Sequence, residues 1–378
     1  VDSSLEFAAA VKSFSEVLCQ LVWASFQRGL KYDDEWPEEH FFKTLVDDGF
    51  RGGHPRAQTL YGRLHSTGRF SLEFDVVRHN PSAMEPLTGS DMAILVELRV
   101  DKKTVSRRIF LVQLKKAVHV SNGVVRFPEL HHLSGKRWYK RPLHQAERML
   151  FFTQCSVFWL AVPPDASADQ SFFRRYNSRT NFGELSRRRR HTDVPAGSAP
   201  SGIGQYPMVP FSHPRFVKEW HYLFHEFFGR SVSEGQVRQW FEQQQQEERD
   251  RAIRMLWADL AHESQKLHGM RSRTPVLVSH AESVLGWGTE NVTDLKSVFV
   301  PSVSLPEFLL GDVLSDGFGD DDEELIDALL KPRPNEFLKR IASEFLRQDA
   351  LQAVQDQQPT RAVVRLSVSV NTLNEPQG

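Results

Sequence analysis

Cysteine is scarce: Cys19 and Cys155 are the only two in 378 residues. Two thiols build neither a disulfide framework nor a four-thiolate zinc site, so a reducing, cytoplasmic setting is expected and structural zinc is not. A long uninterrupted apolar run is also missing. The most apolar stretch, Leu5 to Phe26, is broken by Lys12, Ser13, Ser15, Glu16 and Gln20, and no basic segment precedes it. A packed helix, rather than a membrane span or a signal peptide, is the expectation. The sequence holds no G-x-x-x-x-G-K-[ST] loop, no G-x-G-x-x-G turn and no G-x-S-x-G elbow. An ATPase, a dinucleotide enzyme and a serine hydrolase therefore lack their usual anchors.

Net charge is close to nil, at -1, yet the two signs are segregated along the chain. Lys102 to Arg190 holds 19 Lys and Arg against 5 Asp and Glu, whereas Pro301 to Gln358 holds 5 against 13. A basic middle suits a polyanion, and an acidic end does not. With 40% apolar and 25% charged residues the chain has the composition of an ordinary folded protein.

Phe7, Val11, Phe14, Leu18 and Leu21 recur at spacings of four and three, which predicts a helix over about Ser4 to Arg28. A second helix is expected from Pro37 to before Gly49, carrying Glu38, Glu39, Phe41, Phe42, Leu45 and Val46. Phe70, Leu72, Phe74 and Val76 alternate with polar residues as a half-buried strand does. Asp91 to Arg99 and Arg108 to Val118 read as an antiparallel pair. Asn122-Gly123 predicts a hairpin that adds a strand to this meander. A helix over Pro142 to Gln154 then leads into a buried strand, Val157 to Val162.

Beyond it, 165–213 is rich in Ser, Gly, Pro and Arg and reads as a loop or linker. Helices are expected over Pro214 to Phe228, Ser233 to His268, Asp320 to Leu330 and Pro334 to Gln357. Short strands are expected at Pro275 to Ser279 and Lys296 to Val300, a capping box at Ser304 and Glu307, and a last strand at Ala362 to Val370. The class is α/β or α+β: a core over 1–164 with a mixed sheet flanked by helices, and a mainly helical 214–378 that packs on the core or mediates assembly.

The sharpest local signal is Gly89-Ser90-Asp91 at the start of one strand, with Gln113-Leu114-Lys115-Lys116 on its partner. Residues two apart on a strand share a face, so Gln113 and Lys115 project together and Asp91 faces them across the ladder. A carboxylate, an amide oxygen and an ammonium suit a hard divalent ion and its water, and phosphodiester cleavage needs those parts. Glu38 or Glu39 adds a carboxylate from the early helix. On an ordinary strand the same residues are simply a wet face. The acids of a helix start more often answer the macrodipole than a metal.

This succession of elements and residues over roughly Asp34 to Pro164 resembles the PD-(D/E)xK nuclease superfamily, in a Q-x-K variant similar to Mrr-like and prokaryotic defence nucleases. The resemblance implies a restriction-endonuclease-like core, DNA as substrate and Mg²⁺ or Mn²⁺ as cofactor. It makes Asp91 the principal metal ligand, Gln113 and the Leu114 carbonyl neutral oxygen ligands, Lys115 the residue that activates water, and Glu38 or Glu39 the helix acid. Glu85, Gly89 and Gln145 match a further pattern of defence-associated relatives. Candidate DNA contacts are Lys116, the stretch Lys136, Arg137, Trp138, Lys140 and Arg141, and the run Arg187, Arg188, Arg189 and Arg190. A nuclease-fold protein that has lost cleavage and only binds or assembles is the alternative. A partner protein, a homodimer, and acidic helices that cover the basic surface are further expectations; a membrane is not. His131, His132 and His144 lack the spacing of a metal box.

Overall fold

The structure is a computed structural model that describes residues 3–31, 38–65, 68–79, 86–117, 119–121, 124–127, 133–134, 139–141, 143–162, 234–267, 274–287, 292–294, 302–315, 317–348, 350 and 357–371. Its centre is a seven-stranded mixed sheet. In spatial order the strands are β1 (Phe70–Arg78), β12 (Ala362–Val370), β2 (Met92–Val100), β3 (Lys103–Lys116), β8 (Ser156–Ala161), β9 (Val276–His280) and β11 (Val303–Ser304). Between them in the chain fall the short strands β4 (His119–Ser121), β5 (Val124–Arg126), β6 (Leu133–Ser134), β7 (Leu143–His144) and β10 (Val292–Asp294).

Helices cover both faces of the sheet, and the two-residue period of the strands divides the core accordingly. Met92, Ile94 and Val96 of β2, with Phe110, Val112 and Leu114 of β3, meet α1 (Ser3–Lys31), α2 (Glu38–Lys43), α3 (Pro55–His65) and α5 (Glu234–Leu267). Ala93 and Leu95, with Ile109 and Leu111, face α4 (Gln145–Phe152) and the helices Glu323–Leu329 and Glu336–Ala342. The predicted stripe of α1 is the one that packs, with the Phe14 ring 4.5 Å from that of Phe74 on β1. By length and composition Ser4–Ser25 could also cross a membrane; here Phe7, Val11, Phe14, Leu18 and Val22 are core residues.

Several expectations need correction. The meander is interrupted, because β12 lies between β1 and β2, antiparallel to the former and parallel to the latter. Alternation in sequence sets which side chains point inward, but it says nothing of which strand becomes the neighbour. Ser121 pairs with Val124 as expected, yet these strands join β10 in a separate three-stranded sheet instead of extending the meander. β3 starts at Lys103, since Asp101 and Lys102 both take positive φ and close the turn in two residues. α4 is shorter than predicted because Leu143–His144 pairs with Leu133–Ser134. Of the last predicted helix, Glu336–Ala342 is helical, as are Gln348 and Ala350, while 349 and 351–356 lie outside the described residues; α3 is an element beyond those expected. The helix of α2 continues as a π-helical segment, Thr44–Phe50. Predicted elements at 165–213, Pro214 to Phe228 and Lys296 to Val300 lie outside the described residues.

Candidate functional site

Asp91 sits one residue before β2, and its backbone is already part of the ladder. Its N–H donates to the Val112 carbonyl at 3.0 Å, and its carbonyl accepts from Arg361 N at 3.0 Å. The side chain is thereby delivered to the end of the sheet between β3 and β12. Asp91 Oδ2 accepts from Gln113 Nε2 at 2.7 Å and from Leu114 N at 2.9 Å. Gln113 and Lys115, two residues apart on β3, are both buried, at 2% and 3% exposure. The predicted trio is therefore brought together, on the same face of the sheet as Leu111 and Ile109.

Burial raises the pKa of Asp91 above the ordinary carboxylate value, opposed by the Leu114 N–H, the charge of Lys115 and Arg361. Gln113 Nε2 also lies 3.3 Å from the Leu114 carbonyl, while Gln113 Oε1 is buried without a hydrogen-bond partner. A buried amide oxygen left without a donor is costly, and a cation is one partner that satisfies it. The oxygens of the Asp91 carboxylate, the Leu114 carbonyl and the Gln113 amide suit a hard divalent ion, but it is Gln113 Nε2 that faces the first two, so Oε1 joins them only when the amide turns over. Among the described residues no three His, Cys, Asp or Glu side chains form a metal-holding group; the set here relies on amide and backbone oxygen instead.

Glu39 does approach, but through an intermediary that sequence reading missed. Arg361, immediately before β12, places Nη2 2.5 Å from Glu39 Oε2 and Nη1 3.4 Å from Asp91 Oδ1. Its Cζ lies 5.0 Å from the ring centroid of Phe42 on α2. Burial works against the Arg361 charge, and the Asp91 and Glu39 carboxylates outweigh it, raising its pKa. Nothing local marks this arginine in the sequence, because its place depends on the pairing of a strand 270 residues away from Asp91. Glu38 begins α2, and its side chain lies outside the described set.

The loop before Asp91 is tightly specified. Gly89 has φ +76°, and a Cβ there would sit 2.5 Å from Arg148 Nε. Arg148 is buried on α4, bonded to the Tyr139 hydroxyl at 2.5 Å. Gln145 lies on the same helix and is buried. Thr88 donates through Oγ1 to the Pro359 carbonyl at 2.6 Å, tying the loop to the segment that carries Arg361. Glu85 lies outside the described residues.

The predicted DNA contacts separate into three groups. Lys116 is 6% exposed and lies on the opposite face from Lys115, so it is not presented outward. Lys140 and Arg141 are exposed; Lys140 Nζ donates to the Ser343 carbonyl at 2.8 Å and Arg141 pairs with Glu147. Lys136, Arg137 and Trp138, with Arg187 to Arg190, lie outside the described residues, as do His131 and His132. On the helix Glu323–Leu329, Glu323 and Asp327 pair with Arg107 of β3, which also pairs with Glu97 of β2. Both cysteines are buried, and burial pushes the Cys19 thiol far above its ordinary pKa.

No protein-family model, curated protein or solved structure matches the chain. The site must be read from its own geometry.

Proposed function

We propose that this chain is a metal-dependent endonuclease of the PD-(D/E)xK type, in its Q-x-K form, that hydrolyses phosphodiester bonds in DNA. The observation that carries this reading is the meeting of Asp91, Gln113 and Lys115 at one end of the sheet, with Gln113 Oε1 buried and unpartnered. Helices on both faces and the β2–β3 antiparallel pair support a restriction-endonuclease-like core. The insertion of β12 between β1 and β2 would then be this chain's elaboration.

In this reading Asp91, the Leu114 carbonyl and Gln113 Oε1, after its amide turns over from the present Nε2 contact with Asp91, would hold Mg²⁺ or Mn²⁺. The ion, when bound, acts as a Lewis acid and lowers the pKa of a bound water. Lys115, in electrostatic contact with Asp91, orients the attacking water and answers the charge that develops on the phosphate. Exposed Lys140 and Arg141 are the described residues that would meet the backbone. A role in antiphage defence, with a partner protein or a second copy, is the setting the resemblance suggests.

The test is nicking of supercoiled plasmid in Mg²⁺ or Mn²⁺ by the wild type, Asp91→Ala and Lys115→Ala. Loss of cleavage by two or more orders of magnitude in both variants, about the weight of an electrostatic catalytic group, is expected. Undiminished nicking in both would remove the assigned site. A second reading, a nuclease-fold protein that binds nucleic acid without cutting, is favoured by the ion pairs Arg361 makes with both carboxylates. It predicts salt-sensitive DNA binding with no Mn²⁺ uptake in calorimetry.

A further inference from the structure

The charges at this site balance without a metal. Lys115 and Arg361 act on Asp91, and Arg361 also holds Glu39, so two cations face two carboxylates. An amide at position 113 completes the arrangement. Gln113 can donate to Asp91 Oδ2, whereas a second carboxylate at 2.7 Å would repel it. Gln113 and Arg361 thus tie the two carboxylates into one hydrogen-bonded network.

A divalent ion would upset that balance, and the two resident cations differ in their freedom to respond. Lys115 is 3% exposed on a central strand. The Arg361 side chain is 35% exposed, although its backbone is pinned by ladder bonds to Asp91 O and from His79 N. Only its side chain is free to leave. The contact to Asp91 is also the longer of its two, at 3.4 Å against 2.5 Å to Glu39.

We infer that Arg361 is the resident counter-ion of the site, and that a divalent ion binds by displacing its guanidinium from Asp91. Metal binding is then coupled to a movement of the side chain supplied by the C-terminal strand, and the free protein holds its metal weakly. This rests on the metal-site reading above.

The experiment is calorimetric titration of the full chain with Mn²⁺ in the wild type, Arg361→Met, Arg361→Lys and Asp91→Ala, with thermal melts to establish folding. Arg361→Met should bind Mn²⁺ tighter by about tenfold or more, the scale of one charge-assisted contact. Arg361→Lys, which keeps the charge without the fork that spans both carboxylates, should fall between the two. Equal or weaker binding by a folded Arg361→Met protein overturns the inference. Should that variant not fold, Arg361→Lys decides it by the same criterion. Asp91→Ala separates the two levels: if it takes up Mn²⁺ as the wild type does, the ion sits elsewhere and the metal-site reading is what fails. Absence of Mn²⁺ binding in every protein removes both.

Discussion

Gln113 is the residue on which the chemistry of this site turns. Its amide donates to Asp91, and in the proposed metal site it would contribute no charge. Gln113→Glu should therefore move two quantities in opposite directions. Without metal it should cost about 1–3 kcal/mol in urea unfolding, since a buried donor becomes an acceptor facing Asp91. With Mn²⁺ it should recover that loss and bind the ion more tightly than the wild type. Gly89 makes a second prediction at this scale. Gly89→Ala combines a positive φ with a Cβ directed at Arg148 Nε, and should destabilise by about 1–3 kcal/mol while lowering cleavage. The same substitution at Gly62, where a Cβ meets nothing within 4 Å, is the control. Asp91, Gln113 and Lys115 were legible in the sequence because strand alternation is a local rule and two of the three lie on one strand. Arg361 and Arg148 were not, since only tertiary pairing brings them to Asp91 and Gly89.

Among the elements, β12 has the largest consequence for both fold and site. Its boundaries follow from the sequence, Ala362 to Val370, yet its position does not. Val363, Val364, Leu366 and Val368 are buried, as a strand with neighbours on both edges requires. Leu366→Ala should cost about 2–5 kcal/mol in equilibrium unfolding, in line with a large-to-small change in a packed core. Removing the chain after Lys331 would take β12 out from between β1 and β2 and release the loop that Thr88 ties to Pro359. We expect such a truncation to lose cooperative melting, so it does not isolate the effect of the acidic helices on DNA binding. Neutralising Glu323 and Asp327 together, which leaves Arg107 paired with Glu97 alone and does not touch the sheet, does so instead. Stronger DNA binding in filter or anisotropy assays is expected if those acids cover a basic surface, and unchanged affinity would argue against that role. The sequence revealed most elements here through their periods. The π-helical continuation of α2 and the place of β12 depend on packing that no local period encodes.

At the scale of the whole molecule, two buried histidines among the described residues make stability depend on pH. Burial lowers the pKa of His79, opposed by a hydrogen bond to the Leu329 backbone, and lowers that of His280, opposed by the Gln154 carbonyl and the charge of Glu282. Both take up protons more readily when the chain is unfolded. Their contribution to stability is thus complete above the ordinary histidine value, near 6.5, and is lost as pH falls from there toward their folded values. Between those limits stability should drop by up to about 1.4 kcal/mol per pH unit for each. Urea unfolding from pH 8 to pH 5 checks this, with His79→Gln and His280→Asn each flattening the curve. Asp91 acts in the opposite sense, since its raised pKa favours the folded state at low pH.

The central claim is that Asp91, Gln113 and the Leu114 carbonyl hold a divalent ion next to Lys115. Anomalous diffraction from crystals grown with Mn²⁺ addresses it most directly. The account predicts a manganese peak coordinated by Asp91 and Gln113 Oε1, with the Arg361 guanidinium withdrawn from Asp91. A saturating Mn²⁺ concentration that leaves no peak there, with Arg361 still bridging Asp91 and Glu39, would contradict it.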